Sequence, residues 1–261
     1  MKTYTLITGA STGIGYEMAL QLAAKKHNLI LVARNAEKLS KLKDELTVKH
    51  QIAVEVFAKD LSDVKQAFML YDEIGEKGLL VSGLINNASV GIYGSFIETS
   101  LQDELKMIDL NVGSLVALTK LFGAEMAKRG EGRIMNVASL LSFFPLPYYS
   151  VYSATKAFVA AFTQTVAAEL ENNGVIVTAL CPGPIDTPFT TAEMLKTNAY
   201  KTNKPISAEK VAKAGVELFL NGRGKKIVGL QNWLIAHLPL FTPGFILHKI
   251  KMNLTQPPVL K

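Results

Sequence analysis

The sequence predicts an α/β domain: a doubly wound parallel sheet of about seven strands with helices on both faces. Three observations carry that expectation. Short apolar runs alternate with helix-length amphipathic stretches along most of the chain. The runs are continuous, as in residues 29–33 (LILVA), which is the pattern of a strand covered on both faces. No Pro/Gly/Ser-rich linker or break in composition interrupts the 261 residues, so a single domain is expected over 1–261.

The elements follow in order. Residues 4–8 (YTLIT) form a β-rich run that ends at Gly9, and a helical pattern covers 16–26 after the glycine-bearing turn. Residues 29–33 are the second strand, 35–50 an amphipathic helix and 52–58 the third strand. Ser62 or Asp63 caps a helix reaching about residue 77. A fourth strand is expected at 80–86, one long helix or two joined helices over 101–128, and a fifth strand at 132–138. A long helix spans 150–174 and a sixth strand 175–180. Residues 187–204 are polar and Thr-rich without a clear period, a candidate mobile lid. Residues 207–221 return to a helix, and 226–229 offer a last strand. In such a sheet the ligand belongs at the carboxyl ends of the strands.

Composition excludes several classes. Apolar residues make up 49% and charged residues 19%, which is globular and not disordered. The one cysteine, Cys181, excludes an internal disulfide framework, fits a reducing compartment and reads as a buried thiol. His27, His50, His237 and His248 lack metal-ligand spacing, so no metal is expected. Met1 leads within three residues into an apolar strand, and eighteen apolar residues never run uninterrupted. A cytoplasmic location without a spanning segment is the expectation.

The net charge of +6 is uneven: residues 201–261 carry ten Lys/Arg against Glu209 and Glu217, leaving −2 for residues 1–200. The positive charges are scattered through an apolar tail and not clustered on a groove-reading element, so no nucleic-acid partner is expected. A solvated surface is the plain reading; an anionic lipid or an anionic substrate handle is the sharper one. Within that tail, residues 227–247 are strongly apolar but interrupted by Gln231, Asn232, His237, Pro239 and Pro243. Subunit contact or a cover over an apolar pocket suits this segment, and peripheral membrane contact helped by Lys249 and Lys251 is the alternative.

Chemistry concentrates in a few motifs. The first turn, Thr8-Gly9-Ala10-Ser11-Thr12-Gly13-Ile14-Gly15, spaces its glycines more widely than G-x-G-x-x-G. Its logic is the same: the backbone turns tightly and approaches a pyrophosphate, which meets the unpaired amides of a helix N-terminus. A structural turn is the plain alternative. Arg34 stands at the end of the second strand, where an NAD-selective site places an acid for the ribose 2′-hydroxyl. A guanidinium suits a 2′-phosphate, so NADP(H) is preferred with NAD(H) as the alternative; Arg34 as a surface residue paired with Glu37 is the competing reading.

Tyr152 and Lys156 stand four residues apart near the start of the 150–174 helix and share one face. The cation favours the phenolate, so the tyrosine pKa is expected to fall from about 10 toward the working pH. A fall of about three units corresponds to roughly 4 kcal/mol, which calls for a second positive charge such as an oxidised nicotinamide. A solvated face with a snorkelling lysine is the plain reading of the pair.

Taken together, these motifs resemble the short-chain dehydrogenase/reductase family in its common single-domain Rossmann branch. The carrying residues are Thr8-Gly9-x-x-x-Gly13-Ile14-Gly15, Asp60-Leu61, Asn86-Asn87-Ala88, Asn111, Ser139, Tyr152-x-x-x-Lys156 and Pro182-Gly183-x-Ile185-x-Thr187. They occur in the family's order and cover residues 4 to about 190; Ser89 departs from a common glycine. The resemblance implies that Ser11 and Thr12 join the glycine turn around the cofactor. It also implies that Asp60 holds the adenine edge beside Leu61, and that Asn87 and Ala88 line the cofactor. It puts Pro182 and Gly183 beneath the nicotinamide with Ile185 next to it, and Thr187 on the carboxamide. Catalysis is implied for Asn111, Ser139, Tyr152 and Lys156. Tyr152 is the general acid/base, Ser139 steadies the oxygen, Lys156 also holds the ribose, and Asn111 kinks its helix to hold a relay water. A homodimer or homotetramer is expected by the same resemblance.

The expected reaction is NADPH-dependent reduction of an apolar ketone or aldehyde to an alcohol. Residues 140–149 (LLSFFPLPYY) either border the carbonyl or pack against a helix or second subunit, and both readings stand. A long-chain 3-oxoacyl compound, a steroid-like ketone and a xenobiotic aldehyde are the candidate substrates. The alternatives are a non-catalytic dinucleotide-binding regulator and a membrane-peripheral 3-oxoacyl or steroid-type reductase.

Overall fold

The computed structural model describes residues 2–186 and 192–255. Its strands are β1 (Thr3–Thr8), β2 (Asn28–Ala33), β3 (Val54–Ala58), β4 (Leu80–Asn86), β5 (Gly132–Val137), β6 (Val175–Cys181), β7 (Ile185–Asp186), β8 (Ile206–Ser207) and β9 (Gly224–Ile227). Seven of them pair in parallel in the order β3-β2-β1-β4-β5-β6-β9, while β7 and β8 pair separately. Helices α1 (Gly13–Ala24), α2 (Ala36–His50), α3 (Lys65–Glu76), α4 (Leu101–Ile108), α5 (Leu115–Arg129) and α6 (Ser150–Leu170) fill the crossovers. After β6 come the short α7 (Ala192–Lys196) and α8 (Asn198–Thr202), then α9 (Ala208–Asn221), α10 (Leu230–Phe241) and α11 (Gly244–Thr255).

Alternation along each strand explains why the apolar runs are continuous. In β2, Leu29, Leu31 and Ala33 join the core under α1, α2 and α9, whereas Ile30 and Val32 join the core under α3 and α5. Both faces are dry, so every position from Leu29 to Ala33 is apolar. From β1 the chain steps outward to β2 and β3, then returns to β4 on the other side of β1. The carboxyl ends of β1 and β4 therefore part, and a crevice opens between them.

Several expected boundaries move for local reasons. Helix α3 starts at Lys65 because the Asp60 carboxylate holds a turn, accepting from the Ser62 amide at 3.1 Å and the Ser62 hydroxyl at 2.8 Å. The last strand is Gly224–Ile227, since Gly229 takes φ +94° and leads into α10. The long helix is two helices joined by a π-helical turn over Asp109–Ser114. By length and composition the run Leu101–Arg129 is apolar enough to cross a membrane, but half of its apolar window is buried. Leu118, Phe122 and Met126 pack beneath the sheet, so it is a core helix.

A buried polar chain ties that helix and α6 to the middle of the sheet. Asn86 donates to Thr119 at 3.0 Å and to the Asn136 side-chain Oδ1 at 2.9 Å, and the Asn136 side-chain amide donates to Thr163 at 3.0 Å. Asn136 is fully buried, so removing it strips partners from groups that water cannot reach. Asn136→Ala is expected to lower the unfolding free energy by about 1–3 kcal/mol in urea denaturation, and an unchanged midpoint contradicts this role.

Candidate active site

The crevice is floored by the turn between β1 and α1. The Thr8 hydroxyl accepts from the amides of Asn87 and Ala88 at 3.0 Å each, and the Asn87 side chain donates to the carbonyls of Thr8 at 2.9 Å and Gly9 at 3.3 Å. The glycine turn is thereby pinned to the end of β4. Gly9 stands at φ +67°, and a Cβ there would lie 2.8 Å from the Asn87 amide nitrogen. At Gly15 a Cβ would come within 2.4 Å of the Gly9 carbonyl oxygen, so neither position admits a side chain. Thr12 precedes α1 without a side-chain capping bond, which leaves the first-turn amides beside Gly13 and Ile14 uncapped at the cleft wall. Such a cradle fits a pyrophosphate.

The far end of the cleft is cationic. Arg34 is exposed there and forms no ion pair among the described residues, while Glu37 pairs with Lys41 at 2.7 Å. Lys38, which the motif reading passed over, lines the same wall. Asn35 caps α2 by accepting from the Lys38 amide at 2.8 Å, so Asn35 and its cap are the sequence signal that sets Lys38 one turn beyond Arg34. Asp60 and Leu61 lie next to them. Burial pushes the Asp60 carboxyl up, but the Ser62 hydrogen bonds and the charges of Arg34 and Lys106 outweigh it and hold it below the ordinary carboxylate range.

At the other end Ser139, Tyr152 and Lys156 converge, all buried. Ser139 ends the stretch after β5 and accepts from the Leu141 amide at 3.1 Å; its hydroxyl also hydrogen-bonds the Tyr152 phenol, and Ser142 donates to the Lys156 carbonyl at 2.7 Å. The Lys156 ammonium donates to the Val137 carbonyl at 2.9 Å and stands 5.8 Å from the Tyr152 ring centre. Burial pushes the Tyr152 phenol up, against the lowering pull of the Ser139 bond. The shift is therefore upward and not the expected fall: desolvation outweighs the Ser139 bond, and the same burial lowers Lys156 to about 8. Cys181 is fully buried and its thiol is raised to about 12 by burial, so it is neutral and inert.

Asn111 lies behind the cleft wall, in the π-helical turn. It accepts from the Val90 amide at 3.0 Å and donates to the Val90 carbonyl at 2.9 Å and to Thr155 at 3.1 Å. Its amide therefore clamps the segment after β4 to α6, with no hydrogen bond to Lys156 among the described residues. The helix does deform at this residue, as the resemblance implied.

The cleft of about 450 Å³ is lined by Gly9, Ser11, Thr12, Gly13, Ile14, Arg34, Asp60, Leu61, Asn87, Ala88, Ser139, Tyr152, Lys156, Pro182, Gly183 and Ile185. Gly15 and Asn111 shape it from behind, and Thr187 lies outside the described residues. Tyr149 and Tyr200 also line it; Tyr149 precedes Tyr152 by one helical turn, whereas nothing local marks Tyr200. The loop 140–149 divides between its two readings. Leu141, Leu146 and Tyr149 face the cleft, Phe144 is buried beneath, and Phe143 packs toward α6 under Lys225.

Lys156 gives the site a pH signature. Its folded pKa lies below its unfolded value of about 10.5, so between the two the unfolded chain binds more protons and stability rises with pH. The penalty is full below about 8 and relieved above it. Compared with Lys156→Met, the wild type should therefore gain on the order of 2 kcal/mol of unfolding free energy between pH 7 and about 9.5. A pH-independent difference between the two proteins contradicts a desolvated ammonium.

Comparison with known proteins agrees with this geometry. The family model described as short chain dehydrogenase matches residues 3–198. The chain is 41% identical over 181 residues to the very-long-chain 3-oxoacyl-CoA reductase of Pyrenophora tritici-repentis, which covers 67% of this chain and 52% of that protein. It is 30% identical to the protein of the same name from Macaca fascicularis, over 97% of this chain and 80% of the other. The chain thus spans about half the length of the first relative. Among solved structures, a short-chain dehydrogenase from Sphingobium yanoikuyae in complex with NADPH superposes with a TM-score of 0.80 at 29% identity, over 88% of each chain. A glycine cradle, a Ser–Tyr–Lys cluster and a matching sequence model over most of its length agree: the chain belongs to the short-chain dehydrogenase family.

Proposed function

We propose that this oxidoreductase uses NADPH to reduce an apolar ketone, with a long-chain 3-oxoacyl thioester as the favoured substrate. The observation that carries the reading is the convergence of Ser139, Tyr152 and Lys156 at one end of a cleft whose other end holds the glycine cradle. The lining near Tyr152 is apolar, through Val90, Leu110, Leu141, Leu146 and Ala199, and two of the relatives are named for a very-long-chain 3-oxoacyl substrate.

A reduced nicotinamide supplies the hydride when bound. Gly9, Gly13 and the first-turn amides of α1 would hold its pyrophosphate, Arg34 and Lys38 the 2′-phosphate, and Lys156 the ribose. Tyr152 gives its phenolic proton to the carbonyl oxygen as negative charge develops there. Burial keeps that phenol protonated at neutral pH, the state a proton donor needs. Ser139 hydrogen-bonds the same oxygen and fixes its approach. Lys156, still mostly cationic at pH 7, steadies the phenolate that the transfer leaves.

Tyr152→Phe is expected to abolish ketone-dependent NADPH oxidation while leaving NADPH affinity within about twofold. Retained turnover in that variant removes Tyr152 from the reaction. Wild-type protein that consumes no NADPH with any of a panel of 3-oxoacyl thioesters and other ketones is instead a binding protein.

The cofactor preference is tested separately. NADPH should bind more tightly than NADH, and Arg34→Asp should reverse the order. Lys38→Ala should weaken NADPH alone, by about tenfold to a hundredfold. Equal wild-type affinities for the two cofactors exclude a 2′-phosphate site at Arg34.

A further inference from the structure

We propose that the outer face of the α10–α11 hairpin seats on an anionic lipid surface. The hairpin's inner face is already used. Ile235, Leu247, Ile250 and Leu254 pack on the cluster that holds Phe144, Tyr149 and Tyr152. Tyr93 donates to the Thr255 carbonyl at 2.7 Å, and Asn232 at the start of α10 is buried against Gly183 of the cleft.

Among the described residues the outer face has no partner of this kind. Leu230, Leu234 and Phe241 recur on one side of α10, with Trp233 and Leu240 alongside, within an arc of about 120°. Leu240, Phe241 and Phe245, at the tip, are 72%, 84% and 70% exposed, values at which a core role is excluded. Scattered exposed leucines are ordinary; a contiguous band of Leu, Trp and Phe on a helical hairpin is not.

Charge selects the occupant. From Gly222 onward the sequence has six Lys/Arg and no Asp or Glu. Arg223 pairs with Glu171, and Lys225 and Lys251 lie over the Phe143 and Phe144 rings, so Lys226 and Lys249 are the described cations left for this face. Lys249 shares a face of α11 with Phe245 four residues earlier, and Lys226 is exposed at the hairpin's base. A symmetric contact between two copies through this face would set those cations against one another with no carboxylate from the segment between them. An anionic leaflet answers both features, accepting the apolar band below its headgroups and the lysines among them. Docked this way, the bilayer lies against the element that packs on the Tyr152 cluster, so an apolar substrate has a short path from lipid to cleft.

Vesicle co-sedimentation of the full chain tests this. Wild-type protein should pellet with phosphatidylcholine vesicles containing roughly one-third phosphatidylserine, pellet far less with phosphatidylcholine alone, and be released by about 0.5 M salt. Phe241→Ser with Phe245→Ser should abolish pelleting. Lys226→Gln and Lys249→Gln, which leave the apolar band intact, should each lower the partition coefficient about fivefold with unchanged thermal melting and NADPH affinity. Wild-type protein that stays in the supernatant, or binds neutral and anionic vesicles equally, overturns the proposal. So does a Phe241/Phe245 variant that pellets like wild type, or one whose only change is the loss of a dimer, which would assign the face to a second copy. None of these readouts depends on turnover, so the docking and the reductase reading fail separately.

Discussion

The site depends on one desolvated ammonium. Lys156 is 2% exposed, with the Val137 carbonyl as its hydrogen-bond acceptor, and the protein tolerates the cost of burying it beside a buried phenol. That arrangement is held from three directions: Ser142 ties the loop after β5 to the Lys156 carbonyl, Ser139 holds the Tyr152 hydroxyl, and Asn111 clamps Thr155 between them in sequence. A lysine poised near 8 and a phenol pushed upward form a pair in which both groups carry their protons at neutral pH.

The sheet topology supplies the other half of the site. Reversal of strand order at β1 leaves a crevice, and the Thr8–Asn87 hydrogen bonds keep its two walls in register. With Gly9 and Gly15 too closely approached for any side chain, the backbone itself becomes the surface that meets a ligand. One end of the crevice is cationic through Arg34 and Lys38, the other buried and aromatic. A long, two-ended ligand follows from that polarity.

What could be read in the sequence was local. The glycine turn, the apolar runs of β2 and β6 and the Tyr152–Lys156 spacing each depend on residues within one or two turns of each other, and the structure sets them in a single cleft. Asn111 was legible only through the resemblance, and its partners Val90 and Thr155 come from other elements. For Tyr152, spacing reports a neighbouring charge and says nothing of solvent: burial pushes the phenol up, and the expected fall was tied to a second positive charge such as an oxidised nicotinamide. Tyr200 carried no signal, since it reaches the cleft only through the path of the chain after β6. Asn232 looked like a break in an apolar run. It is instead the anchor of α10, accepting from Asn203 at 2.7 Å and donating to the Val228 carbonyl at 2.6 Å.

The central claim is that the Tyr152 end of the cleft is where hydride meets carbonyl. Label transfer tests it most directly. With NADPH deuterated at nicotinamide C4 and a long-chain 3-oxoacyl thioester, one face of the cofactor should place deuterium on the carbinol carbon of the product, and Ser139→Ala should slow that transfer by on the order of a hundredfold. A product alcohol without label, or label transfer at the wild-type rate in Ser139→Ala, would contradict the account.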